Sequence, residues 1–453
     1  MSDVIAAIST ALAPSGIGVI RLSGTGCAQA ADGILTPVYG SPLSSAPARK
    51  LCLYDLHDRS GRVIDRILAV RTPGPNSYTG EDTVELQCHG SPAVLTEALS
   101  CLFSLGARQA GPGEFTKRAF LNGRMDLTAA EAVIDLIEAE TADAAANAAG
   151  QVGGALLRKL TPVYDALLSV MSHFHAVLDY PDEDIDDFAL QNYSALLTRQ
   201  KEVLEQLLAT AGRGRVVKDG VKAVILGRPN AGKSSLLNAL AGYERVIVTA
   251  IPGTTRDTVE EKIRMGSLVL RLMDTAGIRD TQDTVEQLGV ERALEAAKEA
   301  DLALVVIDGS QPLTEEDHRA MAAARAARNA ICILSKSDLP QQITPQQLDF
   351  PVILPISSVT GDGLEALTPA VERIFASDAP CDGTLLTNLR HETAIRIARD
   401  AISRTLESLD SGATPDAVLL DVEEALEAIA GLTGQSMRED ITNDIFSRFC
   451  VGK

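Results

Sequence analysis

Residues 222–235 constrain the fold of this chain more than any other stretch, because they join three kinds of local pattern in one order. An apolar run is followed by Gly227-x-x-x-x-Gly232-Lys233-Ser234 and then by apolar residues at helical spacing. The pattern predicts a strand, a phosphate-binding loop and a helix. Successive N–H groups of such a loop and the helix N-terminus attract an anion, Lys233 reaches the β- and γ-phosphates, and the Ser234 hydroxyl binds Mg²⁺. A glycine-rich turn that matches by chance would not explain both flanks.

Four further motifs follow in the order that a GTPase requires. Residues 253–257 form a polar loop typical of a first switch, where a threonine hydroxyl binds Mg²⁺ while the γ-phosphate is present. Residues 274–277, Asp-Thr-Ala-Gly, offer a carboxylate to Mg²⁺ and a glycine N–H to the γ-phosphate. Residues 335–338 end another apolar run, and Asp338 is predicted to accept from the donor pair that guanine has and adenine lacks. Residues 357–359 end the last predicted strand, where a backbone N–H meets guanine O6.

Two positions depart from the usual GTPase pattern. Base-reading motifs usually begin with Asn, whose side-chain amide has a donor end and an acceptor end. This chain has Ser335 instead, and its shorter hydroxyl side chain gives up that amide. Guanine binding is therefore expected to be weaker or to depend more on Asp338. A glutamine that orients the attacking water often follows the Asp-x-x-Gly motif, but Ile278 occupies that position. Another group must then position the water, or the enzyme is inert by itself.

Composition limits the classes of function. A chain of 453 residues with a formal net charge of -20 is long enough for two to four domains and poorly suited to grip RNA by itself. Its seven cysteines are scattered without a C-x-x-C pair, which argues against a disulfide framework or a clustered zinc site and fits a reducing cytoplasm. No apolar run approaches the ~20 residues that span a bilayer. The first residues lack the pattern of a secretory signal.

Changes of periodicity predict three regions. Residues 1–120 read as a mixed α/β domain. Residues 121–217, which hold 7 Lys and Arg against 15 Asp and Glu, read as acidic helices that form one bundle with residues 378–453. Residues 218–377 alternate strand and helix, as in a doubly wound sheet inserted into that bundle.

The individual elements are predicted from alternation, apolar runs and breakers. Thr128-x-x-Glu131 is predicted to be a capping box that opens a long helix, and Gly431 to Gly434 a break between helices. Strands are predicted at residues 17–22, 66–71, 83–88, 222–226, 259–265, 269–273, 302–307, 330–334 and 352–355, with a hairpin at 266–267, and helices at 92–105 and 236–240.

Taken together, these motifs resemble the MnmE (TrmE) family of tRNA-modification GTPases over essentially the whole chain. Stretches outside the GTPase motifs carry the resemblance: Gly-Val-Ile-Arg-Leu-Ser-Gly, Pro-Gly-Pro-Asn-Ser-Tyr-Thr-Gly-Glu-Asp, Phe-Thr-Lys-Arg-Ala-Phe-Leu-Asn-Gly-Arg-Met-Asp-Leu and Phe-Cys-Val-Gly-Lys. The fold class implied is α/β and α: an N-terminal α/β folate-binding domain, a helical bundle, and an inserted Ras-like P-loop GTPase domain.

The resemblance, with the motifs, implies a set of site residues. The GTP-binding residues are Asn230, Ala231, Gly232, Lys233, Ser234, Ser235, Thr249, Ala250, Ile251, Pro252, Gly253, Thr254, Thr255, Asp274, Thr275, Ala276, Gly277, Ser335, Lys336, Ser337, Asp338, Ser357, Ser358 and Val359. The implied metal ligands are Ser234 and Thr255 for Mg²⁺, and Asn230, Thr249, Ile251 and Thr254 for K⁺. The implied folate-binding residues are Arg21, Glu85, Arg124 and Lys453; relatives can carry lysine at the Arg124 position, so the charge is kept.

The resemblance also implies how the missing glutamine is replaced. The implied homodimer is built through the N-terminal domain. Its G domains pair across the dimer, and K⁺ takes the place of an arginine finger beside the developing phosphate charge. Glu286 matches the carboxylate that positions water indirectly, and Arg256 and Arg279 are expected to support it. Without the family, Glu286 would read as a first-turn acid. Cys450 is given a catalytic role, although a lone cysteine is usually a small buried hydrophobe.

The predicted function is GTP hydrolysis by a cytoplasmic, K⁺-activated enzyme, with Lys233, Glu286 and Cys450 as catalytic residues. The resemblance implies that this activity is coupled to placing an aminomethyl or carboxymethylaminomethyl group at C5 of wobble uridine in certain tRNAs. The carbon would come from a tetrahydrofolate derivative, 5-formyl or 5,10-methylene. The chain has no G-x-G-x-x-G fingerprint after a strand, so FAD is expected on a partner. The resemblance implies that this partner is the flavoprotein MnmG, which would form a heterotetramer with this chain and contribute most of the tRNA-binding surface.

Two alternatives remain open on the residues alone. The GTPase motifs would equally fit a regulatory or ribosome-assembly GTPase with no part in modification. Ser335 would fit a folate-binding scaffold whose GTPase is vestigial.

Overall fold

The computed structural model describes residues 2–179, 187–243, 261–273, 294–375, 379–434, 445–447 and 449–452. The chain divides into two compact units. The first contains Met1–Ile134, Ala149–Val203 and Ala394–Lys453, and the second contains Asp135–Ala148 and Leu204–Thr393. All seven cysteines are free. Within the described ranges, no helix combines the length and apolarity needed to cross a membrane.

A seven-stranded sheet is the centre of the first unit. Its strands are β1 (Ile5–Ile8), β2 (Ser15–Ser23), β3 (Leu35–Pro37), β4 (Cys52–His57), β5 (Val63–Thr72), β6 (Thr83–Gly90) and β7 (Arg108–Gln109). Their order is β3-β4-β5-β6-β2-β1-β7, and neighbours are antiparallel except for the parallel pair β1 and β7. The predicted strands 17–22, 66–71 and 83–88 are confirmed within β2, β5 and β6.

Helices α1 (Cys27–Asp32) and α2 (Pro92–Ser104) pack on one face of this sheet. Alternation along β2 and β6 places Ile20, Leu22 and Leu86 in that core. Arg21 and Glu85 belong to the alternate set and are paired in register across the two strands. The strand pattern therefore presents these two charged side chains together, on the face away from the core.

The remaining helices in chain order outside the second sheet are α3 (Glu114–Leu121), α4 (Leu127–Glu138), α5 (Ala142–Val152), α6 (Ala155–Asp179), α7 (Asp187–Ala209), α8 (Ala211–Asp219), α12 (Leu389–Asp410) and α13 (Pro415–Thr433). In the first unit α6 packs along α13. Each buries residues at helical spacing, including Leu160, Leu167 and Phe174 of α6 and Val422 and Ile429 of α13.

The predicted capping box of Thr128 and Glu131 is wrong. Helix α4 is capped by Asp126, whose Oδ1 accepts from the backbone N–H of Thr128 at 2.8 Å and of Ala129 at 3.1 Å. The Thr128 hydroxyl is itself a donor to Asp126, so Thr128 does not open the helix. The predicted break at Gly431 to Gly434 is confirmed at its last residue: helix α13 continues through Gly431, ends at Thr433 and is followed by Gly434, which adopts φ +89°.

A six-stranded sheet is the centre of the second unit. Its strands are β8 (Val221–Leu226), β9 (Glu261–Met265), β10 (Leu268–Leu272), β11 (Leu302–Asp308), β12 (Ala330–Ser335) and β13 (Ile353–Ile356), in the order β13-β12-β11-β8-β10-β9. All neighbours are parallel except β9 and β10, which form the predicted hairpin. The six predicted strands are confirmed to within about two residues, although residues 259–260 lie outside the described ranges.

Helices α9 (Lys233–Tyr243), α10 (Glu315–Ala324) and α11 (Leu367–Phe375) accompany this sheet. Alternate residues of β8 enter two different cores, with Ala223 and Ile225 in one and Val224 and Leu226 in the other. The sheet is therefore covered on both faces, as a doubly wound fold requires.

Candidate functional site

The predicted phosphate loop begins at the carboxyl end of β8, which lies between β10 and β11 in the sheet. Gly227 leaves the strand with φ +152°, and a Cβ there would lie 2.4 Å from the carbonyl oxygen of Val306. This close approach excludes any side chain. Asn230 adopts φ +60°, and α9 begins at Lys233. The backbone thus makes the tight strand-to-helix turn that the sequence predicts.

The Lys233 ammonium lies inside this loop. Its Nζ donates to the carbonyl oxygen of Gly227 at 2.7 Å and of Arg228 at 2.8 Å. Burial lowers the pKa of Lys233, against the opposing influence of the Glu316 carboxylate. The cation is therefore held among polar groups of the loop, where a phosphate oxygen would be a stronger partner than a carbonyl.

Ser335, at the end of β12, is 4% exposed and lies against the phosphate loop. Its Oγ is 2.6 Å from the carbonyl oxygen of Ala231 and 3.1 Å from that of Ile307, so its single proton is donated within the protein. No local pattern around Ser335 indicates this contact, because Ala231 lies 104 residues away in the chain. The serine connects the base-reading segment to the phosphate loop.

The rest of the base-reading segment turns outward from the sheet. Lys336 adopts φ +58°, and its Nζ donates to Asp308 Oδ2 at 2.6 Å. The Ser337 N–H donates to the Ile356 carbonyl at 3.3 Å, which ties the segment to β13. Asp338 is exposed. Its carboxylate is therefore open to a ligand at the edge of the sheet.

The third predicted segment follows β13. Ser357 is fully buried, and its Oγ accepts from the N–H of Val359 at 3.3 Å and of Thr360 at 3.2 Å. The loops after β8, β12 and β13 all leave the carboxyl ends of parallel strands, where ligands bind in folds of this type. The structure therefore brings residues 227–235, 335–338 and 357–359 to one edge of the sheet.

Several predicted site residues lie outside the described ranges. They are Thr249, Ala250, Ile251, Pro252, Gly253, Thr254, Thr255, Asp274, Thr275, Ala276, Gly277, Glu286 and Lys453, together with Arg256, Ile278 and Arg279. Their roles stay predictions.

A second candidate site lies in the first unit, around Arg21 and Glu85. Arg21 donates to Glu85 Oε1 from Nε at 3.0 Å and from Nη2 at 2.9 Å. The guanidinium carbon is 5.4 Å from the ring centre of Tyr78 and 5.8 Å from that of Phe115. The pair is thus a partly buried donor and acceptor set beside two aromatic rings.

Arg124 lies next to the loop that carries Tyr78. A Cβ built on Gly80 would lie 3.3 Å from Arg124 Cγ, and Asn122 Nδ2 donates to the Thr79 carbonyl at 2.7 Å. Arg124 is exposed. Three of the four predicted folate residues are therefore described, and Arg21 and Glu85 are in contact.

The segment around Cys450 is fixed to the first unit by its backbone. Gly113 N–H donates to the Cys450 carbonyl at 3.3 Å, and Val451 forms an isolated bridge with Pro112. Ser9 Oγ donates to the Gly452 carbonyl at 2.9 Å. Cys450 itself is exposed. The segment meets the start of α3, which also carries Phe115, so Cys450 and Arg21 are connected to the same short helix.

Two charged clusters escaped the sequence analysis. Arg118, whose side chain is 10% exposed, pairs with Glu81 at 2.9 Å, Asp3 at 2.7 Å and Glu114 at 3.1 Å. In the second unit, Arg228 pairs with Asp308 at 3.7 Å and with Asp317 at 3.3 Å. An aspartate that ends a fully apolar strand, as Asp308 does, is the signal that would have marked the second cluster.

The sheet order, the loop that ends in Gly232-Lys233-Ser234 and the two further loops at the same edge define a P-loop nucleoside triphosphatase domain. Residues 127–450 match the family description "MnmE helical domain" and residues 4–124 match "GTP-binding protein TrmE N-terminus". The chain belongs to the MnmE family. The predicted fold class, α/β and α with an inserted P-loop domain, is confirmed.

Individual relatives are similar over the whole chain. A tRNA modification GTPase MnmE from Heliobacterium modesticaldum is 40% identical over 467 residues, covering 100% of this chain and of the relative. One from Alkaliphilus oremlandii is 40% identical over 463 residues, with 100% of both covered. Among solved structures, the G domain of the T. maritima FeoB iron transporter is 26% identical over 35% of this chain and 99% of its own, with a TM-score of 0.27.

Proposed function

We propose that this chain is a GTP hydrolase of tRNA modification, activated by K⁺. Membership of the MnmE family over its full length supports GTP hydrolysis and tRNA modification. The observation that carries the proposal is the Lys233 ammonium inside a glycine loop, at the sheet edge that also carries Asp338 and Ser357. A triphosphate on Lys233 and a guanine on Asp338 would both be reached from that edge.

Within this proposal each segment has a separate task. The N–H groups of residues 230–235 and Lys233 hold the β- and γ-phosphates, and Asp338 accepts from guanine while residues 357–359 meet O6. Ser335 links the loops, which leaves base recognition to Asp338. Residues 249–255 and 274–277 complete the phosphate site.

Mg²⁺ would be held by the hydroxyls of Ser234 and Thr255. Across the described ranges, no group of three or more His, Cys, Asp or Glu side chains is placed to hold a metal. That fits Mg²⁺, which usually binds through a few protein oxygens and the phosphates of the nucleotide. Ser234 is exposed on the first turn of α9, next to Lys233, where a phosphate-bound ion would be within its reach. When bound, Mg²⁺ would neutralise part of the negative charge of the triphosphate.

K⁺ is proposed to bind through Asn230, Thr249, Ile251 and Thr254 when the G domains of a homodimer pair. Asn230 is described, and its left-handed backbone puts it at the outer turn of the phosphate loop. Glu286 would position the attacking water indirectly. The positive charge of K⁺ would then replace an arginine finger.

Turnover in different salts tests the GTPase proposal. We expect the full chain with Mg²⁺ to hydrolyse GTP at least about ten-fold faster in K⁺ than in Na⁺, because the cation stabilises charge that develops in the transition state. ATP under the same conditions is the matched control and should be cleaved far more slowly. Equal rates of GTP hydrolysis in K⁺ and Na⁺ would contradict only the activation by K⁺ and leave the GTPase proposal standing. Absence of turnover in both salts would favour the rival, a folate-binding scaffold with a vestigial GTPase.

The site around Arg21 and Glu85 is proposed to bind a tetrahydrofolate derivative, with Arg124 and Lys453. A fused heteroaromatic ring presents donors and acceptors along its edge and a flat face. The Arg21–Glu85 pair supports recognition of such an edge, and Tyr78 supports contact with such a face. Cys450 is proposed to act in modification, since its segment is fixed to the helix that carries Phe115.

The modified base is proposed to be wobble uridine, which would receive an aminomethyl or carboxymethylaminomethyl group at C5. The FAD for the redox step would be on the flavoprotein MnmG, and the acidic balance of this chain supports a partner that provides most of the tRNA contacts. The proposed compartment is the cytoplasm. The proposed domains are residues 1–120, residues 121–217 with 378–453, and the inserted residues 218–377.

Nucleoside analysis tests the modification proposal. Total tRNA from cells that lack this protein should lose the C5-substituted wobble uridines, because no carbon would be transferred without the folate site. Mass spectrometry of the digested tRNA measures this, and cells complemented with the intact chain provide the control. Unchanged wobble uridines would favour the other rival, a regulatory or ribosome-assembly GTPase.

A further inference from the structure

Four charged side chains form a cluster next to the phosphate loop. They are Arg228, Asp308, Asp317 and Lys336, and we call them the Arg228 cluster. Arg228 Nη2 lies 3.7 Å from Asp308 Oδ2, and Arg228 Nε lies 3.3 Å from Asp317 Oδ1. Lys336 Nζ lies 2.6 Å from the same Asp308 oxygen. Asp308 therefore stands between a residue of the phosphate loop and a residue of the base-reading segment.

Both carboxylates of the cluster are buried and fixed by further hydrogen bonds. The side chains of Asp308 and Asp317 are 5% and 1% exposed. Asp308 Oδ1 accepts from the N–H of Ser310 at 3.0 Å and from its hydroxyl at 2.7 Å. Asp317 Oδ2 accepts from the N–H of Thr314 at 3.0 Å and from its hydroxyl at 2.7 Å. Hydrogen bonds thus fix Asp308 at the end of β11 and Asp317 in the first turn of α10.

The charges of the cluster balance, with two carboxylates against one guanidinium and one ammonium. Burial alone would raise the pKa of Asp308, but hydrogen bonds from Lys336 and Ser310 outweigh it and lower that pKa. Removing one charged member would leave a buried charge without its partner, which is costly. The cluster therefore resists separation of the two loops that it connects.

The backbone conformation of both loops requires such support. Asn230 and Lys336 have φ +60° and +58°, which side-chain-bearing residues rarely adopt. Conformations of this kind persist where the surroundings over-determine them. Asp308 fixes Lys336 directly, and the Arg228 side chain holds the other end of the loop that contains Asn230. The Ser335 hydroxyl on Ala231 is a second connection between the same two segments.

We infer that Asp308 is a positioning residue for guanine-nucleotide binding: through Arg228 and Lys336 it sets the separation between the phosphate loop and the base-reading segment. Asp317 anchors Arg228 from α10. The inference rests on the proposed function, since it deepens the same site. A nucleotide that contacts both loops would find them already at the separation that it needs. Less conformational entropy of the loops would then be lost on binding. The effect falls on affinity and not on the chemical step.

Asp308→Asn tests this inference, because it keeps the size of the side chain and removes its charge. In the full chain with Mg²⁺ and K⁺, we expect the Kd of GDP and of GTP each to rise about ten-fold, with kcat at saturating GTP within about two-fold of wild type. Arg228→Gln should raise both Kd values similarly. The double variant should stay near ten-fold rather than reach a hundred-fold, because both changes break one connection.

Asp349→Asn is the matched control. Its carboxylate is 91% exposed and pairs at 2.8 Å with Arg325 in the same unit, so the variant should bind nucleotide like wild type. Wild-type affinity in both Asp308→Asn and Arg228→Gln would overturn the inference, as would a fall in kcat without a change in Kd. If Asp308→Asn does not fold, the partly exposed Arg228 decides alone. A wild-type chain that binds no guanine nucleotide would reject the proposed function itself.

Discussion

Glu114 is a hydrogen-bond acceptor shared by two arginines of the first unit. It accepts from Arg108 Nη2 at 2.7 Å, from Arg118 Nη2 at 3.1 Å and from the N–H of Gly111 at 2.8 Å. Burial alone would raise the pKa of Glu114, but hydrogen bonds from Arg108, Gly111 and Arg118 outweigh it and leave that pKa lowered. A carboxyl whose pKa is lowered by folding stabilises the fold above its unfolded pKa, about 4.3, and loses this contribution as pH falls through the folded pKa.

Glu114→Gln should therefore destabilise the first unit at neutral pH by about 1–3 kcal/mol, since two arginines lose their shared carboxylate. The difference from wild type should shrink as the pH falls below about 4.3, where the wild-type carboxyl becomes protonated in the unfolded chain and then in the folded one. Urea denaturation at several pH values measures it. Glu407→Gln, on the exposed surface of α12, should show little change at any pH. A difference that stayed constant down to low pH would contradict the assignment.

At the scale of elements, the start of α4 is decided by Asp126. Asp126→Ala should cost about 1 kcal/mol, because the N–H groups of Thr128 and Ala129 lose their acceptor. Thermal unfolding measures the loss. Thr128→Val removes only a donor to Asp126 and keeps the side-chain volume, so its cost should be smaller. A larger loss in Thr128→Val than in Asp126→Ala would restore the capping box that the sequence predicts.

Some elements are specified by the residues within them, and others depend on contacts with residues far away in the chain. The apolar runs of β8, β11 and β12 specify central strands by themselves, and Gly227 to Lys233 specify the loop that follows. Strands β1, β3, β4 and β7 are not among the predicted strands. Runs of two to four residues, as in β1, β3 and β7, become strands only beside their neighbours, whereas the six-residue β4 was missed although Tyr54 and Leu56 alternate into the core. Asp126 and Thr128 both fit a cap, and only the backbone contacts separate them. The Arg228 cluster joins residues far apart in the chain, so local pattern marks Asp308 at the end of an apolar strand but not the residues that pair with it.

At the scale of the whole molecule, residues 446–452 belong to the unit that contains the first strands. Phe446 and Phe449 share a core cluster with Leu127 and Ala130. Gly452 adopts φ +102°, and a Cβ there would lie 2.4 Å from the carbonyl oxygen of Ile8. The segment is therefore fitted against β1 as closely as a backbone allows.

Gly452→Ala should loosen this segment and destabilise the first unit by about 2 kcal/mol or more, through left-handed backbone strain together with the clash at Ile8. Gly412→Ala is the matched control, because Gly412 has φ +65° but open space around its Cβ position. It should show only the conformational part, about 1 kcal/mol. Equal losses in the two variants, measured by thermal unfolding, would mean that the contact with Ile8 adds nothing.

The β-bridge between Pro112 and Val451 also has a consequence for folding during translation. Chain emerges from the ribosome beginning at the N-terminus, and domains usually fold as they appear. Here the segment that closes over Ile8 and Gly113 is synthesised after every residue of the nucleotide-binding unit. The first unit can therefore be completed only after the whole of the nucleotide-binding unit has been synthesised.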